Sequence, residues 1–201
     1  MSSPLRTYEP RDRGALYEVC LRTGDSGADA TGSFTQPALL GEVYVGPYLA
    51  LEPELALVLD DGTGVGGYTL GALDTRAFEE RCEREWWPPL RERHPLGAYP
   101  RGSADAAVVE LIHRPARAPE VVVAGHPSHL HIDLLPRWQG GGWGRRLIEG
   151  LLDRLAAAGS PGVHLGVGVR NPRAVGFYRH LGFTELLAVG DTLFLGRSTH
   201  T

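Results

Sequence analysis

The residues most able to do chemistry are gathered in Leu130–Leu155, LHIDLLPRWQGGGWGRRLIEGLLDRL. His131 and Asp133 are two apart, so on a strand they share one face. An imidazole with an unperturbed pKa of about 6.5 can take a proton near neutrality, directly or through water, and a carboxylate can do the same. The other reading of the pair is structural, with Asp133 fixing the imidazole tautomer. Gln139-Gly140-Gly141-Gly142-Trp143-Gly144 then places four glycines in six positions. A glycine turn that opens a helix leaves backbone N–H groups without partners. With the positive end of the helix dipole they make a phosphate-sized anion site. Arg145 and Arg146 fall in the first helical turn, where they oppose that dipole and make sense if an anion sits there. An ordinary glycine-rich turn is the bland alternative. The dinucleotide spacing G-x-G-x-x-G fails, because Gly140 would need a glycine where Arg145 stands, and no G-K-[ST] marks a P-loop.

These residues need a strand, a turn and a helix to hold them. His131, Asp133 and Leu135 alternate with Leu130, Ile132 and Leu134, the period of a strand, which Pro136 stops. Leu147, Ile148, Leu151, Leu152 and Leu155 recur at helical spacing. Upstream, the pattern predicts a strand over Leu5–Tyr8 and a helix over Arg11–Thr23 with Leu16, Val19 and Cys20 on its buried face. Gly24–Pro37 reads as a loop whose Asp25 and Asp29 either cap turns or line a pocket for a cationic amine. A short helix is expected in Pro37–Tyr48. Strands Leu55–Leu59 and Val65–Leu73 flank an Asp-Gly hairpin turn at Asp60–Gly64. The glycines of the second strand either admit a ligand or mark a bulge. Asp74 or Thr75 caps a helix that Trp86-Trp87-Pro88-Pro89 breaks. The paired tryptophans read as a buried anchor first and a stacking surface second. Ala106–His113 is a strand or a helix. Downstream, Val163–Val169 is a strand, Asn171 caps a helix with Pro172 at its first position, and Ala174, Phe177, Tyr178 and Leu181 form its inner face. A hairpin, Glu185–Val189 and Thr192–Gly196, closes the chain.

The 201 residues, 42% hydrophobic, are enough for one domain with a sizeable core. The net charge of −4 argues against bulk nucleic-acid or anionic-membrane binding. No apolar run approaches the roughly 18 residues of a membrane span. The N-terminus lacks an apolar signal core, so a cytoplasmic protein is expected. Two distant cysteines, Cys20 and Cys82, read as buried free thiols. His126, His129 and His131 lack a thiolate or a standard fourth ligand, so no metal is expected of them.

Gln139, Gly142 and Gly144 satisfy Q/R-x-x-G-x-G/A, and N-x-x-A-x-x-F-Y-x-x-x-G-F runs from Asn171 to Phe183. Together, in this order, they resemble the GNAT superfamily of N-acetyltransferases. Tyr17–Thr31, Phe78–Leu90 and Phe194–Ser198 resemble more narrowly the acetyltransferase-like C-terminal domain of O-GlcNAcases and its free-standing bacterial relatives. The resemblance implies an α/β fold over residues 1–201: a mixed, mostly antiparallel sheet flanked by helices. It also implies a long insertion of about residues 74–128 between strands 3 and 4, to serve as a lid, an acceptor platform or an oligomer contact. It implies acetyl-CoA as co-substrate, in a cleft between two parallel strands that splay apart. Leu134 and Leu135 would hold the pantetheine arm and thioester carbonyl. Gln139, Gly140, Gly141, Gly142, Trp143 and Gly144 would hold the pyrophosphate, with Arg145, Asn171, Arg173 and Phe177 nearby. Tyr178 would be the general acid for the leaving thiolate, or would only pack on Phe177. Asp133 or His131 would be the base. The acceptor would be an amine, on a small molecule or a protein lysine, and a homodimer is compatible with the reading. A non-catalytic acetyl-CoA-binding sensor is the alternative. The eukaryotic members have a decayed pyrophosphate loop, whereas this sequence keeps Gln139, Gly142 and Gly144. No glycosidase domain lies in the sequence, so O-GlcNAc hydrolysis is not expected.

Overall fold

The computed structural model describes residues 3–200. Seven strands form one sheet in the order β1-β2-β3-β4-β5-β7-β6. They are β1 Leu5–Thr7, β2 Leu57–Asp60, β3 Val65–Ala72, β4 Ser128–Leu134, β5 Gly162–Gly168, β6 Thr184–Val189 and β7 Thr192–Ser198. Every neighbouring pair is antiparallel except β4 and β5. Helices cover both faces, so the expected mixed, mostly antiparallel sheet is what the chain builds.

One face is covered by α8, Trp143–Ala157, whose Leu147, Ile148, Leu151, Leu152 and Leu155 are buried. The glycines of β3 make this approach close. A Cβ on Gly71 would lie 2.7 Å from Leu151 Cδ1, and one on Gly66 would overlap the Trp138 indole. Here the glycines admit protein side chains in place of a ligand, and Gly66 is the extra residue of a bulge, since Leu59 pairs with Gly67 and Asp60 with Val65. The opposite face, which carries Tyr68, His131 and Asp133, receives α1, Arg13–Thr23. Its buried residues include Leu16, Val19 and Cys20, the expected set.

Elsewhere the chain departs from the pattern in three places. Two short helices, α2 Leu39–Tyr44 and α3 Gly46–Leu51, stand where one was expected. The break falls at Val45, and Gly46 opens the second helix where a Cβ would sit 2.3 Å from the Trp86 ring. Trp86-Trp87-Pro88-Pro89 does not break its helix. Instead α4, Thr75–Arg81, passes through one π turn, Cys82–Trp86, into α5, Trp87–Arg93. The prolines enter the first turn of α5, where a missing N–H costs least. Trp87 is buried and the Trp86 Nε1–H donates to the Glu42 carbonyl at 2.9 Å, so the pair is an anchor. Ala104–His113 is a helix, α6, capped by Ser103, and α7, Glu120–Val123, follows it. Lastly, α9, Pro172–His180, is capped by Asn171 as expected, but it buries Val175 and Tyr178. Of the expected inner face, Tyr178 and Leu181 are buried and Ala174 and Phe177 half-buried, with Val175 added to the buried stripe.

The residues between β3 and β4 are tied down at several points. Asp105 accepts from the N–H groups of Thr35 and Gln36, which fixes the end of the Gly24–Pro37 loop. Glu42 takes Arg93 and His94. Cys20 and Cys82 are free and buried. Among the described residues no helix is long and apolar enough to cross a membrane.

Leu151 is fully buried between α8 and the sheet. Leu151→Ala is expected to lower the unfolding free energy by about 2–5 kcal/mol, read from urea denaturation followed by circular dichroism. A loss below about 1 kcal/mol would mean that the site collapses around the smaller side chain.

Candidate functional site

The site begins where β4 and β5 part. They pair only at Ser128 with Val163 and His129 with His164. Beyond that point β5 stays with β7 as far as Gly168 and Thr192, while β4 stays with β3. Leu130 to Leu134 are therefore left without a β5 partner. The Leu135 N–H donates to the Gly66 carbonyl at 2.9 Å. In an antiparallel ladder successive residues bond alternately toward and away from the partner strand. Ile132 and Leu134 thus turn their backbone groups into the gap, whereas Leu135 has spent its donor on β3. Of the two residues expected to meet a bound arm, Leu134 keeps its N–H facing the gap while its carbonyl accepts from Gln139, and Ile132 faces the gap beside it.

The gap is a cavity of about 650 Å3. It brings together His131, Asp133, Leu134, Gln139, Gly140, Gly142, Gly144, Arg145, Asn171, Arg173, Phe177 and Tyr178. Leu135, Gly141 and Trp143 do not line it. The Trp143 ring instead packs edge-on against Trp138, and Arg146 lies 4.5 Å above it. Gly140 and Gly142 have φ of +80° and +79°, the left-handed conformation that glycine adopts without strain. Among the described residues, no N–H from Gly140 to Arg145 donates to a protein acceptor, and the ladder of α8 opens with Arg146 on Gly142. This is the unpaired donor set that an anion needs. Gly144 is needed for packing instead, since a Cβ there would press to 2.9 Å from Phe177.

Several of the polar side chains that line the cleft also brace it. Gln139 donates from Nε2 to the Leu134 carbonyl at 2.8 Å and accepts from Arg173 at Oε1, 2.5 Å. It ties the glycine loop to both β4 and α9. The Asn171 Oδ1 caps Ala174, and its Nδ2 donates to the Ser26 carbonyl at 3.1 Å. That bond joins α9 to the Gly24–Pro37 loop. Ser26 and Gly27 line the cleft, but Asp25 and Asp29 line neither cavity. Asp29 closes a turn on the Thr31 N–H and hydroxyl, the capping role of its two expected ones.

The titratable groups sit on the α1 face. The Asp133 Oδ2 accepts the Tyr68 hydroxyl at 2.5 Å and meets the His131 Nε2 at 3.1 Å. His131 also stacks on Tyr44, with centroids 5.8 Å apart. Burial works against a charge on His131, but the Asp133 charge and hydrogen bond outweigh it and raise its pKa to about 10. The Asp133 pairing thus favours the charged imidazole over the neutral one that a base at His131 would need. Tyr178 is buried beside Phe177 and Phe183. Its hydroxyl makes no hydrogen bond among the described residues. Burial first, and the Asp133 charge second, hold it well above the usual phenol range, so it keeps its proton.

A second cavity of about 600 Å3 meets the first at Tyr44, His131 and Gly166. Its walls include Tyr48, Phe78 and Trp87, and it takes in His129 and His164. His129 bonds through Nδ1 to the Thr75 hydroxyl, and burial drives its pKa down to about 3. His126, His129 and His131 do not converge. Among the described residues, the donors that do cluster are Cys20, His131 and Asp133. Cys20 and Tyr68 were not expected in the site. Tyr68 reaches it through register, opposite Asp133, which a lone sequence does not fix.

The acetyltransferase (GNAT) family profile matches residues 106–183, which hold β4, the glycine loop, β5 and α9. Among solved structures, SsHAT superposes with a TM-score of 0.91 at 43% identity, covering 98% of each chain. This chain belongs to the GNAT acetyltransferase family. The GNAT chain is also 29% identical over 200 residues to the protein O-GlcNAcase of Rattus norvegicus, and it spans 22% of the length of that relative. The structure of yncA from Salmonella typhimurium, solved with its cofactor acetyl-CoA, has the same fold at a TM-score of 0.58 and 16% identity, covering 100% of this chain and 96% of that one.

The His131–Asp133 pair makes a pH prediction. A histidine with a raised folded pKa contributes stability in full below its unfolded value of about 6.5 and loses it as pH climbs through the folded value. In an NMR titration the His131 ring signal is expected to stay in its charged position from about pH 6 to about pH 8. Asp133→Asn should bring its midpoint down by about one unit or more. A wild-type midpoint near 6.5 would refute the pairing.

Proposed function

We propose that this GNAT chain transfers the acetyl group of acetyl-CoA to an amine by direct attack on the thioester. The observation that carries the reading is the parted β4–β5 edge, with free backbone groups at one end and the unpaired N–H set of Gly140–Arg145 at the other. The two ends suit an extended ligand with a polar arm and a pyrophosphate. The left-handed Gly140 and Gly142, with open space at their Cβ positions, fit the phosphate end. The structure of yncA with acetyl-CoA supports this choice of donor.

Acetyl-CoA supplies an activated acetyl group. The Leu134 N–H, already held by the sheet, is aimed to hydrogen-bond the thioester carbonyl oxygen as charge builds there. One preorganised donor of this kind is worth about 2.7–4 kcal/mol. The amine nitrogen adds to the carbonyl carbon, the C–S bond breaks, and the Tyr178 hydroxyl gives its proton to the departing thiolate. Asp133 takes the ammonium proton, directly or through water, because its pairing favours the charged form of His131. Its Oδ1 makes no hydrogen bond among the described residues and is available for that step. The acceptor enters through the second cavity, which meets the cleft at His131.

Two measurements test this. Calorimetry is expected to show acetyl-CoA binding that Gly142→Ala weakens, because the alanine cannot hold a φ of +79° without strain. Absence of binding at millimolar ligand would overturn the donor assignment. With an acceptor found by screening amines for CoA release, Tyr178→Phe is expected to lower kcat by about 10²–10⁴-fold with acetyl-CoA affinity unchanged. Equal turnover would remove Tyr178 as the acid. Binding without turnover of any amine would favour the sensor reading.

A further inference from the structure

The donor atoms of Cys20, His131 and Asp133 all lie within 4.8 Å of one another. They come from α1 and β4, far apart in sequence, and nothing in the acetyl-transfer chemistry uses the thiol. The three form a set of one sulfur, one ring nitrogen and one carboxylate oxygen. We propose that Cys20, His131 and Asp133 form a binding site for a zinc-class divalent cation at the floor of the cleft.

The chemistry of the set selects the ion. Thiolate and imidazole together favour zinc over magnesium or calcium, which prefer oxygen alone. Bond lengths of about 2.3 Å to sulfur and about 2.0 Å to nitrogen place tetrahedral donors about 3.5 Å apart. The His131 Nε2 and Asp133 Oδ2 already stand 3.1 Å apart, close to that spacing. A side-chain adjustment of about 1 Å brings the sulfur into range. Three protein donors leave a fourth position for water or a ligand, the pattern of an open zinc site. Cys20, His131 and Asp133 all line the 650 Å3 cavity, so that position faces the cleft and the ion has a way in.

The surroundings of the donors fit the same use. Tyr68 donates to the Asp133 Oδ2 at 2.5 Å, an outer hydrogen bond that orients a ligating carboxylate. Tyr44 stacks on the His131 ring and limits its rotation. Metal would take the place of the protons on the thiol and the imidazole, so binding releases protons. An ion here would also occupy the carboxylate assigned to the attacking amine. The site is therefore a point at which zinc would stop transfer.

The test uses the full chain, stripped with a chelator, kept reduced and titrated with Co²⁺ in place of zinc. One equivalent is expected to produce a near-ultraviolet thiolate-to-cobalt charge-transfer band with visible bands of four-coordinate cobalt, all removed by adding Zn²⁺. Cys20→Ser is expected to lose the charge-transfer band, while Cys82→Ser, which alters the other buried thiol, keeps it. Tyr68→Phe is expected to weaken binding about 10-fold. Should Cys20→Ser fail to fold, His131→Gln carries the same test through loss of one-equivalent Zn²⁺ binding by calorimetry. No saturable band in the wild-type chain, or a band that survives Cys20→Ser, would overturn the site. None of these readouts involves acetyl-CoA, so the zinc site and the proposed activity fail or stand separately.

Discussion

The constraint on which the rest depends is the backbone of β4 beyond His129. A strand in the middle of a sheet must find partners for its N–H and C=O groups on both sides. On one side β3 supplies them. On the other, β5 is held by β7 along its whole length and cannot follow. The chain responds with pieces from distant segments. Gln139 reaches back to the Leu134 carbonyl, α9 closes the far wall, and the loop after α1 covers the mouth. What remains is a slot with backbone donors along one edge and a ring of free N–H groups at its end.

The same parting separates two chemical environments. One side holds polar backbone and the glycine loop. The other is aromatic, with His129 kept neutral by burial. His131 stands on the boundary, charged, stacked and paired with Asp133. A carboxylate that shares its oxygen between a phenol and an imidazolium is fully engaged on one atom and open on the other. That asymmetry gives a single acid two uses: to fix its neighbours and to meet whatever enters the cleft.

Much of this was legible from residue types alone. Glycine spacing marked the loop, Asn171-Pro172 marked the start of a helix, and alternation put His131 and Asp133 on one face. What could not be read depended on register and on third parties. Tyr68 and Cys20 enter the site through pairing between strands and docking of a helix, neither of which leaves a local signature. Leu135 fitted the alternation but lost its N–H to Gly66, a choice set by which edge of β4 faces β3. The upward push on the His131 pKa follows from Asp133 at 3.1 Å, and no reference pKa anticipates that. The Trp-Trp-Pro-Pro run looked like a stop because a π turn, which absorbs the extra residue, has no clear sequence mark.

The bond from Asn171 to the Ser26 carbonyl spans 145 residues of chain. With the pairing of Tyr68 and Asp133, it makes the cleft a product of long-range closure. Such contacts form only after the entropy of large loops has been overcome, and they slow folding in proportion. Local helices such as α8 can be present early, yet the slot has no shape until β3, β4 and β5 have all found their places. The slot therefore depends on segments far apart in the chain, and a chain lacking those pairings would carry the glycine loop without its walls.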